Sequence, residues 1–160
     1  MDKNGMRSML ASYKRLMGDV ETRMGNIRRI GNCSFEAYIE GRMLRSSMGE
    51  SRLRGRGRGC STEALGIDGR KEFERERDWQ LGQEVLRMEE HRALLERLDR
   101  VIGCLDDEEK ELIIRRYVQG ESVDKVYESM GLSRATAFRR IESAIEKLAG
   151  MYNEWYCQAA

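Results

Sequence analysis

Two glycine-marked breaks decide what residues 106–150, DDEEKELIIRRYVQGESVDKVYESMGLSRATAFRRIESAIEKLAG, can become. A helix from about Asp107 to Val118 has to stop at Gln119 and Gly120, because glycine suits a left-handed cap. Ser122 opens a very short helix, about Val123 to Met130. Gly131 and Leu132 make a turn, and Ser133 caps a third helix that continues past Leu148. A helix of about eight residues, a tight turn containing glycine and a longer helix make a helix-turn-helix arrangement.

That arrangement dictates which positions are apolar. Leu112 and Ile113 can face Val126 and Met130, and Leu132 plugs the turn. Ala137, Ile141, Ala144, Ile145 and Leu148 recur at steps of three and four, which gives the third helix one inward stripe. Ala137 is small where two helices must cross closely. The opposite side carries Arg134, Ala135, Thr136, Phe138 and Arg139, with Arg140 at its edge. Arginine can bond guanine edges or phosphates, and Thr or Phe can meet a thymine methyl. The helix start also offers free amides to a phosphate. Ser133, Arg134, Ala135, Thr136, Phe138, Arg139 and Arg140 are therefore the candidate DNA contacts.

The run Leu112-Ile113, Arg116-Tyr117, Gly120-Glu121-Ser122, Gly131-Leu132-Ser133-Arg134-Ala135-Thr136-Ala137, Arg140-Ile141, Ala144 and Leu148 resembles region 4 of sigma-70-type factors. It is still more similar to the sigma-like phage and prophage regulators of the ArpU and RinA type. The resemblance covers about a third of the chain. It implies binding to double-stranded promoter DNA and contact with RNA polymerase. Tyr127 departs from the pattern, standing where a small alanine is usual, and Phe138 is bulky on a face that is normally polar.

The charge distribution pulls the other way. From Asp106 onward acids outnumber bases, whereas a DNA-binding domain is usually basic. The acids gather in Asp106-Asp107-Glu108-Glu109, at a helix start where the dipole favours them. The bases gather on the third helix, so the surface is polarised.

Upstream, Met6, Leu10, Tyr13, Met17, Val20, Met24 and Ile27 form a heptad seam, with a fray or kink expected at Gly25-Asn26. Ser34 can cap a short helix bearing Phe35, Tyr38 and Ile39. Glycine and arginine then dominate to Arg70, centred on Arg52, Arg54, Arg56 and Arg58. Glycine at this density opposes helix formation, so a disordered loop is expected at about 44–68. It serves as a linker, with non-specific nucleic-acid contact through those four arginines as the sharper reading. From about Asp68 a second helix returns. Its seam is Met88, His91, Leu95, Leu98, Ile102 and Leu105, extended less regularly by Leu81 and Val85, and His91 reads as a satisfied interface histidine.

With 160 residues, no proline and no alternating pattern, the class is all-α. The expected layout is a coiled-coil-like helical hairpin over 1–105 and a three-helix helix-turn-helix domain over 106–160. The hairpin is thin, so a homodimer through the N-terminal helices is expected, placing two recognition helices about one turn of DNA apart. Cys33, Cys60, Cys104 and Cys157 lack metal-ligand spacing and His91 cannot complete a zinc set, so no metal or cofactor is expected. Cys104 is expected to pack near the junction of the two domains. Reduced thiols and the lack of any long apolar run point to the cytoplasm, with no membrane contact. Nothing supplies a nucleophile with its base, so neither an enzyme nor a small-molecule substrate is expected. Two other functions fit the same features. One is a DNA-packaging subunit resembling a small terminase, and the other a polymerase-binding module that reads no DNA.

Overall fold

The computed structural model describes residues 1–41 and 62–157, with side chains from residue 68 in the second stretch and up to Tyr156. Every regular element among them is helical, as the proline-free periodic sequence requires. In chain order they are α1 (Lys3–Gly31), α2 (helical residues 35–41), α3 (Thr62–Ile102), α4 (Asp107–Ile113), α5 (Val123–Ser129) and α6 (Arg134–Tyr152). Wider π-type turns extend α4 over Ile114–Gln119 and α6 over Asn153–Cys157. The chain divides into two compact units, Met1–Glu21 with Met88–Ala160, and Thr22–Arg87. The expected division at residue 105 follows the order of elements along the chain, and this grouping does not coincide with it.

The first unit holds the main core. Met6, Leu10, Tyr13 and Leu16 of α1 join Leu95, Leu98, Val101 and Ile102 of α3. The same cluster takes in Leu112 and Ile113 of α4, Val126 of α5, and Ile141, Ala144, Ile145 and Leu148 of α6. The start of α1 is thus built into the C-terminal bundle. Lys3 reaches Glu142 of α6 at 3.1 Å, and Arg7 pairs with the same carboxylate. These two cations, Lys3 foremost, hold Glu142 below the usual carboxylate range. Tyr13 donates its hydroxyl hydrogen to Asp99 Oδ1 at 2.7 Å. With Asp19 lying 4.0 Å from His91, the contacts run 13 to 99 and 19 to 91, so the two helices are antiparallel within one chain. That is the hairpin arrangement.

Burial and the bond to an anionic partner both push the Tyr13 phenol well above its ordinary value. The phenol is neutral when bonded, so its stabilisation is complete below about pH 10 and is lost as pH rises beyond it. Tyr13→Phe should cost about 1–2 kcal/mol at neutral pH. It should also flatten the alkaline fall in stability, which urea titrations at pH 7 and pH 11 would show.

Several expectations need correction. The α1 seam drifts: Leu16 is buried in place of Met17, which is 42 % exposed, as is Met24. An α-helix turns past a strict seven-residue repeat unless supercoiling restores it. No break occurs at Gly25-Asn26, and α1 runs to Gly31. Residues 62–68 are already helical, because Glu63, Ala64 and Leu65 are good helix formers once the glycine-dense run has ended. The rest of the expected loop, with Arg52, Arg54, Arg56 and Arg58, lies outside the described residues. Cys104 is exposed, in the turn that ends α3. His91 Nδ1 is buried with no hydrogen-bond partner among the described residues, the Asp19 carboxylate lying 4.0 Å away.

In the second unit, Phe73 of α3 is buried against the rings of Phe35 and Tyr38, with centroids 5.8 and 5.0 Å away. Arg23 of α1 pairs with Glu84 of α3 at 3.0 Å. In this unit α2 is therefore held to α3 by an aromatic cluster, and α1 to α3 by a part-buried ion pair.

Candidate nucleic-acid interface

The segment from α4 to α6 follows its sequence signals closely. Gly120 has φ 77° and Gly131 φ 63°, so both breaks use the left-handed region that favours glycine. Ser122 Oγ accepts from Lys125 N, and Ser133 Oγ accepts from Thr136 N at 3.2 Å. The turn closes through Leu132 N donating to Tyr127 O at 2.9 Å. The Tyr127 side chain itself is half-buried. Ala137, Ile141, Ala144, Ile145 and Leu148 are all buried, as the stripe requires. Ser133→Ala removes one cap and should lower stability by about 1 kcal/mol, measurable by thermal or urea unfolding.

Beneath the N-terminal half of α6, Ala137 is fully buried, and on the other side Arg134, Ala135, Phe138 and Arg139 are exposed. Phe138 is 44 % exposed, with the Arg134 guanidinium 5.8 Å from its ring centroid. Ser133 is exposed, and Thr136, half-buried beside it, shares a 2.8 Å hydroxyl contact. The fold thus gathers Ser133, Arg134, Ala135, Thr136, Phe138 and Arg139 on the first two turns of one helix.

What the sequence did not disclose is how the cations are compensated. Arg140 pairs with Glu108 of α4. Lys147, about two turns further along α6, is held by Glu109 at 2.7 Å and Asp106 at 3.4 Å, and Glu109 in particular raises its pKa. The acidic start of α4 therefore grips the later basic residues of α6 as well as serving its own helix dipole. Arg134 lies 3.9 Å from Asp124 of α5, an exposed pair that contributes little. Arg139 has no acidic partner among the described residues. Helical periodicity reports sides of single helices, and these pairings cross between helices, so nothing local could have shown them.

Among the described residues, the exposed surface of α6 therefore offers one guanidinium without an acidic partner, one weakly held guanidinium, a hydroxyl pair at a helix start and an aromatic ring. Such a set can bond phosphate oxygens or a guanine edge and pack on a base methyl. Among the described residues no helix is long and apolar enough to cross a membrane. No protein-family model, curated protein or solved structure matches the chain.

Proposed function

We propose that the protein is a sequence-specific DNA-binding transcriptional regulator of the sigma-like phage type. It reads double-stranded promoter DNA with the first turns of α6 and touches RNA polymerase from the same domain in the cytoplasm of a bacterial host. A homodimer through the N-terminal helices presents two such readers to two half-sites. The observation that carries this reading is the bare, arginine-bearing start of α6, set over a capped turn whose core positions are all filled. Ser133 and Thr136 offer a hydroxyl pair beside the helix start to a phosphate, and Arg139 supplies a charge with no acidic partner among the described residues.

A gel-shift panel using DNA upstream of the protein's own and neighbouring genes tests it. A retarded band on one duplex, competed by that duplex and not by scrambled DNA, is the expected result. Capture of polymerase with no retardation on any duplex would replace this reading with the polymerase-binding one. Closed rings in light scattering would replace it with the DNA-packaging one.

A further inference from the structure

Beside the bare start of α6 runs a second polar stripe. Thr136, Arg140, Ser143 and Lys147 are spaced four, three and four apart, which at about 100° per residue keeps them in one sector of the helix. The stripe begins at Thr136, already among the candidate contacts, and Arg140 stands one turn beyond it. An arginine so placed beside a reading helix ordinarily serves by bonding backbone phosphate. Here the position is already taken. The Arg140 guanidinium pairs with the Glu108 carboxylate of α4. A carboxylate offers guanidinium donors the same anionic pair of oxygens that a phosphate does.

The fold has little need of that pair. Both side chains meet water, 39 % exposed for Arg140 and 68 % for Glu108, and an ion pair so placed contributes little. Asp107 and Glu109 already supply acids to the first turn of α4. Lys147 is held differently. Glu109, only 13 % exposed, takes its ammonium through both carboxylate oxygens, at 2.7 and 2.8 Å. Lys147 is thus built into the junction of α4 and α6, whereas Arg140 is occupied by a partner it can leave. We propose that Glu108 is an internal counter-ion standing in for a DNA phosphate, which holds Arg140 off the duplex and keeps the affinity of the α6 surface below what its arginines allow. Arg139 is then the arginine available from the outset, and Arg140 is withheld. Phosphate contacts strengthen binding to every sequence alike, and a genome presents a vast excess of wrong sites, so a brake on such contacts limits loss of the protein to them. The inference rests on the DNA reading of α6 and adds what restrains it.

Titrations of the full chain against its preferred duplex and a scrambled one, at several salt concentrations, test it. Glu108→Gln keeps the size of the side chain and removes its charge. It should tighten binding to both duplexes by roughly five- to tenfold at about 0.1 M salt, and steepen the slope of log affinity against log salt by about 0.9, as one further neutralised phosphate does. The far-ultraviolet spectrum and the urea midpoint should stay close to wild type. In an Arg140→Ala background the same substitution should lose most of that gain, which separates this pair from the general effect of removing an acid. Wild-type binding that Glu108→Gln does not strengthen would overturn the proposal and leave the DNA reading standing, as would an equal gain with and without Arg140. Failure of both wild type and Glu108→Gln to bind any duplex would remove the DNA reading and this brake with it.

Discussion

A fragment of residues 106–160 is expected not to fold alone. By sequence signals it is a self-sufficient three-helix domain, yet in the structure its core is shared with both long helices. Met6, Leu10, Tyr13 and Leu16 come from α1, and Leu95, Leu98, Val101 and Ile102 from α3. Removing them exposes the inner sides of α4 and α6, where Leu112, Ile113, Ile145 and Leu148 are fully buried. Each large aliphatic side chain lost from such a core costs about 2–5 kcal/mol, against a typical total of about 5–15 kcal/mol. The fragment should show weak helical dichroism and no cooperative thermal transition. In the full chain, Leu10→Ala alone should lower stability by about 2–5 kcal/mol. A sharp transition in the isolated fragment would show that the α1 and α3 contacts are an accessory to that domain.

The second large effect concerns recognition. Arg139→Ala should weaken binding to the preferred duplex by about 1–3 kcal/mol, roughly 5- to 150-fold. Stability should change little, because the side chain is exposed and makes no ion pair among the described residues. Arg140→Ala should cost less affinity, since Glu108 already neutralises that guanidinium. The salt dependence separates two roles for Arg139. If it meets a phosphate, the slope of log affinity against log salt should fall by about 0.9 in magnitude. If it meets a base edge, the slope should hold and discrimination among duplexes should relax. Equal retardation of wild type and Arg139→Ala would end its claim to be a contact.

The parts legible in the sequence were those governed by neighbours along the chain. Gly120, Ser122, Gly131 and Ser133 announce their breaks and caps because a positive φ and an unpaired helix amide are local demands. The inward stripe of α6 was legible for the same reason, being the periodicity of one helix. Harder to see was where the α1 seam would drift, since Met17 and Leu16 are equally apolar and only the angle to α3 chooses between them. At the candidate interface the exposed side of α6 was legible, but its electrostatics were not. Glu108 and Arg140 are 32 residues apart, and their meeting follows from how α4 packs on α6.

Sharing one core between the first turns of α1 and the last helix also shapes how the chain matures during synthesis. Met6, Leu10 and Tyr13 leave the ribosome well before their partners on α6 are made, since the two helices meet across 135 residues at Arg7 and Glu142. Pairings so distant in sequence are slow to close, and until then an amphipathic helix with a bare methionine- and leucine-rich stripe is open to the wrong neighbours. Nascent chains held short of α6 should therefore be the species that chaperones hold.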